Sequence, residues 1–312
     1  MDSLVGLLDG PRATGAFVLR SVMEPPWSLR IQDEAPLTVA SIVAGEAWVT
    51  PDGGEPEKLV AGDVAVLRGP NPYTFADTPE TPHNIIIHPG QICTTLDGED
   101  LAERMDLGIR TWGNDLDGST TMLTGTYEMH SAVGDRLLRS LPDLVVLREE
   151  TADLPVIDLL NQEIGKEQPG QEAVLDRLLD LLVIAVLRAW FSRPEADAPA
   201  WYRAYSDPVV GPAIRMLQND PSRQWTVASL ADAVGVSRAT LARRFSELVG
   251  VPPMTYLTEW RIAVAADLLQ HQNITIGAVA SRVGYGSPFA LSTAFKRLEG
   301  VSPAEYRRQA TA

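Results

Sequence analysis

Arginine side chains are concentrated in one short stretch of the C-terminal part of the chain, at Arg238, Arg243 and Arg244. A guanidinium group can donate two hydrogen bonds at once to O6 and N7 of guanine, and it can also pair with a phosphate. Ala239 and Ala242 lie between these arginines and offer methyl groups that can contact the methyl group of thymine. The stretch therefore carries the chemistry of nucleic-acid recognition, provided that one rigid element presents these side chains on one face.

The apolar residues around these arginines predict a helix with one buried face. Leu241, Phe245 and Leu248 recur at i, i+4 and i+7, and Ser237 is a suitable N-cap. A shorter apolar pattern runs from Val227 to Gly235, where the glycine is expected to end a preceding helix. A short helix, a tight turn and a second helix form the helix-turn-helix plan, whose second helix enters the major groove of DNA.

The same pattern occurs a second time farther along the chain. From Leu241 onward each member reappears 50 residues later, and the earlier members reappear 49 residues later. The second copy has its own N-cap, Ser287, followed by a proline at the favoured first helical position and by the stripe Leu291, Phe295 and Leu298. A long period with a glycine turn in each copy predicts two copies of one supersecondary unit.

Several short motifs give the second copy a specific form: Gly284-Tyr285, Phe295-Lys296-Arg297, Gly300-Val301-Ser302-Pro303 and Tyr306-Arg307. They resemble the signature of the AraC/XylS family of bacterial transcription regulators, and the resemblance covers about the last hundred residues. It implies a sequence-specific DNA-binding transcription regulator. The positional match to the family directs Ala239, Ala242 and Arg243 toward the bases.

The two predicted recognition helices differ in the chemistry that they offer. We expect Arg243 to be the main base reader, followed by Arg238, whereas Arg244 is open between a phosphate contact and a solvated charge. Thr293 stands where relatives often carry arginine, so the second helix lacks a strong guanine reader. The residues expected to face bases are Arg238, Ala239, Ala242, Arg243, Phe289, Ser292 and Thr293. The residues expected to contact the DNA backbone are Ser237, Arg244, Arg261, Ser287, Lys296 and Arg297.

One helix is expected to join the two units, from Thr255 to Gln270. Its 16 residues would span about 24 Å. Such a spacer would help to set the two recognition helices about one DNA turn apart, near 34 Å. Arg261 on this helix is a candidate phosphate contact, with a helix-capping or surface role as an equal alternative.

The chain of 312 residues has a net charge of −15, but this charge is distributed unevenly between its two halves. Residues 206–312 hold 11 Lys and Arg against 8 Asp and Glu, a net charge of +3, which leaves −18 for the rest. Counterion release from DNA depends on local basic groups. The acidic half is therefore not expected to touch DNA.

Short strand-like segments separated by turn residues run from Leu37 to Ile87, which is typical of a small barrel or sandwich. Their order resembles the cupin sensor domain of many AraC-type regulators over roughly residues 5–92. The predicted fold class is α+β: an N-terminal cupin-like β-barrel with dimer-type helices, then an all-α domain with two helix-turn-helix units. Asp63 after Gly62 is expected to be a turn aspartate that accepts hydrogen bonds from backbone amides.

The predicted barrel lacks the His-x-His pair of metal-binding cupins, so no metal, cofactor or catalytic residue is expected. Two alternatives stay open: a cupin enzyme fused to a DNA-binding module, and a ligand-independent regulator whose barrel only dimerises. His83, His88 and Cys93 recur at intervals of five. They have the chemistry to bind a soft metal or report oxidation, but an interpretation as unrelated buried or loop residues is favoured.

Trp48, Arg110 and Trp112 are the candidate residues of an effector pocket. Arg110, Trp112 and Asn114 alternate, which places them on one face of a strand. The favoured alternative is an inter-strand or inter-domain contact. Control by a small-molecule effector is implied by the family resemblance alone.

Changes of pattern along the chain predict the domain boundaries. We expect a sensor domain over 1–150, a helical dimerisation or connector region over 151–192, a linker over 193–206 and the DNA-binding domain over 207–312. The helix from Gln171 to Phe191 is apolar almost all round after Leu178, so it must be buried. It can pack on the barrel, in a homodimer, or in both, and a homodimer is favoured.

The chain has no apolar run long enough to span a membrane, and its first residues do not resemble a secretion signal. A single cysteine, Cys93, allows no intrachain disulfide and fits a reducing compartment. We therefore expect a cytoplasmic protein whose partners are double-stranded DNA, a small effector, a second copy of the chain and, as a further candidate, RNA polymerase. The sequence leaves open the effector, the target genes and the direction of control.

Overall fold

The computed structural model describes residues 17–127, 132, 138–151, 154–193, 198–270 and 273–310. The chain divides into two compact units, the first made of Pro11–His130 with Leu141–Ala196 and the second formed mainly by Asp197–Ala312. Among the described helices, none combines the length and the apolar composition that a bilayer span requires.

The first unit is built on β-strands. They are β1 Phe17–Met23, β2 Ser28–Ile31, β3 Leu37–Ala44, β4 Glu46–Pro51, β5 Glu57–Val60, β6 Val64–Arg68, β7 Tyr73–Ala76, β8 Ile85–His88, β9 Ile92–Thr94, β10 Asp106–Gly108, β11 Thr111–Gly113, β12 Thr120–Tyr127 and β13 Leu144–Leu147. Over the described residues they form one sheet in the order β10-β11-β1-β12-β3-β6-β13 and a second in the order β5-β4-β7-β2-β8-β9. The pairs β1–β11 and β2–β8 are parallel, and the other pairs are antiparallel.

Side chains from the inner faces of both sheets form one apolar core. On β4, Ala47 and Val49 are fully buried and contribute to this core, whereas Trp48 between them is only partly buried. Successive strand residues point to opposite faces, so the core side of β4 excludes Trp48. Met23 of the first sheet and Phe75 of the second are buried in the same cluster, which shows that the two sheets pack face to face.

The α+β class is confirmed, but the expected barrel takes the form of an open two-sheet structure. Within the described strands the sheets end at β10, β13, β5 and β9 and do not close on each other. Alternation of inward and outward residues is the same in a sandwich and in a barrel, so the sequence pattern could not distinguish them.

Asp63 is a buried structural carboxylate, as predicted. It accepts hydrogen bonds from the backbone amides of Val60 and Glu149 at 3.1 and 3.2 Å. Its Oδ2 atom also accepts from the Arg148 guanidinium at 2.8 Å. The carboxylate thus connects the turn before β6 to the chain that follows β13, with a charged donor that compensates its burial.

Two helices complete the described part of the first unit: α1 Val156–Ile164 and α2 Gln171–Phe191. Helix α2 packs on β12, where Gly125 gives room for Leu179, because a Cβ at Gly125 would lie 2.3 Å from Leu179 Cδ1. The face of α2 that is buried carries Leu175, Leu179, Leu182, Val183, Val186, Leu187 and Phe191. One of the two expected burials, against the sheet domain, is therefore present.

The second unit is helical over its described residues. Its helices are α3 Ala200–Arg203, α4 Val210–Asn219, α5 Val227–Ala233, α6 Arg238–Val249, α7 Pro253–Gln270, α8 Ile276–Arg282, α9 Pro288–Glu299 and α10 Pro303–Ala310. Part of the segment expected to be a linker is helical, because it includes α3. Ala204, just after α3, is buried in the core of this unit, so the packed region extends upstream of residue 207.

Helix α7 contributes to two separate apolar cores. Near its start, Tyr256 and Leu257 pack with Leu241 and Phe245 of α6. Farther along, Ile262, Ala265, Ala266 and Leu269 pack in a second core, whose other buried members are Val279, Ala280, Val283, Leu291 and Phe295. Each helix-turn-helix copy thus has its own core, and one helix of 18 residues, about 27 Å long, is common to both.

Candidate DNA-binding interface

The two predicted helix-turn-helix units are present, and their turns are built alike. Gly235 and Gly284 have φ values of +74° and +81°, a left-handed conformation that glycine adopts at little cost. Ser237 accepts a hydrogen bond from the Thr240 amide at 3.1 Å, and Ser287 accepts one from the Ala290 amide at 3.2 Å. The capping roles predicted for both serines are therefore confirmed, and they fix where α6 and α9 begin.

The outer face of α6 presents the side chains expected to meet bases. Arg238 and Ala239 are exposed at the start of the helix, and Ala242 is half-buried one turn later. The Arg243 side chain is 67% exposed and forms an ion pair with Glu247, with Nη1 at 2.9 Å from both carboxylate oxygens. An exposed i,i+4 pair contributes little to stability, so Arg243 can exchange Glu247 for a base at small cost.

Arg244 has a different environment from Arg243, because it is paired with a residue outside its own helix. Its Nε and Nη2 atoms donate to Asp207 Oδ2 at 3.0 and 2.7 Å. Burial opposes ionisation of Asp207, but the amides of Val210 and Val209 and the Arg244 guanidinium together keep its pKa below the usual range. Arg244 therefore ties α6 to the segment before α4, which favours a structural role for this arginine over a contact with phosphate.

The outer face of α9 offers weaker chemistry than that of α6. Phe289 is 81% exposed at the start of the helix. The hydroxyls of Ser292 and Thr293 donate to the carbonyls of Pro288 and Phe289, at 2.8 and 3.0 Å. Their hydrogens are thus used within the helix, which leaves acceptor lone pairs toward solvent. Lys296 and Arg297 are exposed in the last turn.

Arg261 on α7, a candidate contact to the DNA backbone, forms hydrogen bonds within the protein. Its Nε donates to the Pro221 carbonyl at 2.7 Å and its Nη2 donates to the Arg223 carbonyl at 2.8 Å. Burial lowers the pKa of this guanidinium. Arg261 therefore holds the loop between α4 and α5, which favours a structural role over the predicted phosphate contact.

The loop held by Arg261 also contacts the turn of the second copy. Gln224 donates to the Gly284 carbonyl at 2.8 Å. A Cβ at Gly284 would lie 2.6 Å from the Ser222 carbonyl oxygen, so only glycine permits this approach. We call Pro221–Gln224, Arg261 and Gly284 the junction. Within the junction, the Gln224–Gly284 hydrogen bond links the two copies directly, and Arg261 fixes the same loop to α7.

The partners of these arginines differ in how far they lie along the chain. Glu247 lies four residues after Arg243 on one helix, so the i,i+4 rule would have found it. Asp207 and Pro221 lie 37 and 40 residues from the arginines that they bind. No local pattern signals pairs so distant in the chain.

The residues expected to form an effector pocket are only partly brought together. A cavity of about 320 Å³ opens in the first unit, and Arg110 and Trp112 are among its lining residues, whereas Trp48 is not. Trp48 lies on the outer face of β4, because Ala47 and Val49 occupy the inner face. Asn114 bonds the backbone of Glu24 with both amide atoms, at 2.7 and 2.8 Å, and so makes an inter-strand contact.

His83, His88 and Cys93 do not form a cluster. His83 lies near Ser28, and His88 contacts Thr94 at 2.9 Å, while Cys93 lines the cavity. Over the described residues, no group of three His, Cys, Asp or Glu has the geometry to hold a metal ion. Burial, with Asp100 nearby, raises the pKa of the Cys93 thiol to about 11, which disfavours the reactive thiolate.

Comparison with known proteins agrees with this architecture. Residues 2–192 match a family described as cupin, and residues 230–309 match a helix-turn-helix domain. The chain is 32% identical over 290 residues to an AraC-like transcription regulator of Streptomyces lividans, covering 91% of both proteins. It is 31% identical over 287 residues to an AraC-like transcription regulator of Streptomyces antibioticus, covering 90% of both.

A solved structure of the DNA-binding domain of AdpA, a global transcriptional factor, in complex with a target DNA is 36% identical over the matched part. The match covers 33% of this chain and 93% of that one, with a TM-score of 0.31.

The fold, the duplicated helix-turn-helix and these relatives define a DNA-binding transcription regulator with an N-terminal cupin-like domain. The chain belongs to the AraC family of transcription regulators.

The junction yields a prediction about Arg261. We expect Arg261→Ala to lower the melting temperature and the affinity for operator DNA while leaving the slope of log K against log salt unchanged, because it neutralises no phosphate. Lys296→Ala is the matched control, and it should reduce that slope by about one. Titrations at several salt concentrations measure both. A slope reduced by about one in Arg261→Ala, with unchanged melting, would restore the phosphate role.

The raised pKa of Cys93 predicts that its thiol reacts slowly near neutral pH. Because the folded protein raises the thiol pKa to about 11, the thiolate forms only in strong alkali. Near about pH 8, alkylation by iodoacetamide should be roughly 100-fold slower than in the same protein unfolded in urea. With one cysteine in the chain, mass spectrometry reports this residue alone. Equal rates in the folded and unfolded protein would make Cys93 a plausible redox sensor again.

Proposed function

We propose that α6 provides most of the base recognition and that α9 mainly anchors the protein on DNA. Exposed Arg238 and Arg243 on α6 carry this proposal, since each can bond guanine in a bidentate manner. On α9 the exposed Phe289 ring can contact a thymine methyl group, and Ser292 and Thr293 can only accept hydrogen bonds unless they leave their helix carbonyls. Ser237, Ser287, Lys296 and Arg297 are the proposed contacts to the DNA backbone.

The first unit acts as a sensor in this proposal and not as an enzyme. Its cavity of about 320 Å³ falls in the range of small-molecule sites and has mostly apolar walls. The described residues around it include no metal-ligand cluster that could support cupin chemistry. Ligand binding there would change operator affinity or the response of RNA polymerase, in the cytoplasm where the DNA lies.

A homodimer formed through α2 is part of the same proposal. Val174 and Leu181 are 43% and 50% exposed, and Leu178 lies between them at helical spacing. This stripe is opposite the face of α2 that packs on the sheet. Apolar residues at i, i+4 and i+7 on an exposed helix face are typical of a helix–helix seam. A second copy of the chain, presenting the same stripe, is the proposed occupant.

Unequal recognition by the two copies predicts unequal mutant effects. Arg243→Ala should cost about 1–3 kcal/mol of operator-binding free energy and relax base preference at its position. Thr293→Ala should cost much less, because its hydroxyl already bonds its own helix. Binding assays on an operator series with single base changes measure both. Equal losses of operator-binding free energy in the two variants would show that the two copies contribute equally to base recognition.

The dimer proposal predicts the effect of a charge in the α2 stripe. Leu181→Glu should convert a dimer to a monomer with little change in folding, because a carboxylate in an apolar seam stays unpaired. Sedimentation velocity measures the change. Leu116→Glu, at a residue 65% exposed on a loop of the same unit, is the matched control and should remain dimeric. A monomeric parent protein at about 10 μM, a concentration at which a specific interface should hold, would contradict the proposal.

A further inference from the structure

The cavity of the first unit has apolar walls and few uncommitted polar groups. It lies between the two sheets, and its apolar lining includes Leu19, Leu29, Ile31, Phe75, Ile87 and Met122. Its polar lining includes two carboxylates, Asp33 and Asp106, and one cation, Arg110. Which of these polar groups already have partners inside the protein decides what a ligand must offer.

Two hydrogen-bond donors at the cavity are unused. Trp112 is only 8% exposed, and its buried Nε1 has no hydrogen-bond partner among the described residues. An indole N–H can only donate, so it requires an acceptor. Arg110 lies two residues earlier in the chain, and no described residue accepts a hydrogen bond from its guanidinium. Its nearby charge is Asp176 of α2, with which it interacts electrostatically.

The backbone of Arg110 is held in an unfavourable conformation. Its φ is +46°, in the left-handed region that non-glycine residues rarely adopt. The Arg20 amide donates to the Arg110 carbonyl at 2.9 Å and helps to fix this turn. Residues kept in such conformations are concentrated at ligand sites, where the surrounding structure maintains them.

The two lining carboxylates, in contrast, already accept hydrogen bonds from the protein. Asp33 accepts from the Ala35 amide at 3.2 Å and from Gln91 Nε2 at 3.0 Å. Asp106 accepts from the Gly108 amide at 2.9 Å. Among the charged side chains and the indole N–H at the cavity, the groups that lack hydrogen-bond partners are therefore donors, which favours a ligand that supplies an acceptor. One arginine beside two carboxylates suits a singly charged head better than a doubly charged phosphate.

We propose that this cavity binds an amphipathic monocarboxylate. The carboxylate accepts hydrogen bonds from the Arg110 guanidinium and the Trp112 Nε1–H, and the apolar body packs against Leu29, Phe75 and Met122. This inference rests on the proposed function, in which the cavity is the effector site. It adds the chemical class of the effector and the two residues that select it.

Three probes of one shape test the head group on the full chain: 4-phenylbutyrate, 4-phenylbutan-1-ol and 4-phenylbutylamine. Isothermal titration should give the carboxylate at least about tenfold tighter binding than the alcohol, since charge-assisted hydrogen bonds are stronger than neutral ones. The amine should bind most weakly. Arg110→Gln should remove about tenfold from carboxylate affinity and leave the alcohol unchanged.

Two further variants separate recognition from folding. Trp112→Phe keeps an aromatic ring but removes the N–H, and it should weaken the carboxylate severalfold. Arg104→Gln changes an arginine that is 63% exposed, pairs with Glu99 and does not line the cavity, so it should bind like the parent. Far-UV circular dichroism checks the fold of each variant. If Trp112→Phe does not fold, the affinity of Arg110→Gln for the carboxylate is sufficient to test the proposal.

Several results would overturn the proposed ligand class: tighter binding of the amine, equal binding of all three probes, or no saturable carboxylate binding up to about 10 mM. Equal loss of carboxylate affinity in Arg104→Gln and Arg110→Gln would also overturn it. Operator binding is measured in parallel, without and with 4-phenylbutyrate. If the carboxylate binds through Arg110 but operator binding and transcription do not respond, the ligand class stands and effector control fails.

Discussion

The DNA-binding half depends on one constraint: two helix-turn-helix copies must be held at a fixed relative position although each has its own core. Helix α7 meets this constraint by packing Tyr256 and Leu257 in one core and Ile262 and Leu269 in the other. The junction adds a second connection, in which Gln224 of the first copy's loop donates to the Gly284 carbonyl in the turn of the second copy, and Arg261 of α7 bonds the carbonyls of Pro221 and Arg223 in that loop. Rotation of one copy about α7 would break the Gln224–Gly284 hydrogen bond, so we expect α6 and α9 to be presented to DNA as one rigid surface.

The duplication keeps the scaffold and varies the chemistry. Caps, glycine turns and buried stripes recur at equivalent places, so α6 and α9 begin and pack in the same way. Their outer faces differ, because α6 carries exposed arginines and α9 carries Phe289 and two hydroxyls that donate to their own helix. The excess of acid lies in the other half of the chain. The net positive charge that favours binding to DNA phosphates is therefore confined to residues 206–312.

Much of this arrangement could be predicted from the sequence, because periodicity and caps are local signals. The spacing of Leu241 and Phe245 after Ser237 is enough to predict α6, and the equivalent residues of the second copy predict α9 in the same way. Pairing over long separations could not be predicted, because no local pattern encodes it. Arg244 and Arg261 look like exposed cations until Asp207 and Pro221 are placed beside them.

The sheet domain was harder to predict for a related reason. Short strands with alternating residues do not reveal whether their sheet closes, since closure depends on which distant strands pair. Trp48 does not line the cavity, because neighbouring residues of a strand point to opposite faces and Ala47 and Val49 occupy the inner one. Arg110 and Trp112 do line the cavity, although the sequence favoured a simple contact between strands or domains for them.

Hydroxyl-radical footprinting of an operator tests most directly whether the two copies act as one rigid surface. If α7 and the junction hold α6 and α9 together, each half-site should show protection in two successive major grooves, centred about 10 base pairs apart. Both patches should appear at the same protein concentration, because the copies bind together. Protection of a single groove, or two patches that saturate at different concentrations, would contradict the rigid arrangement.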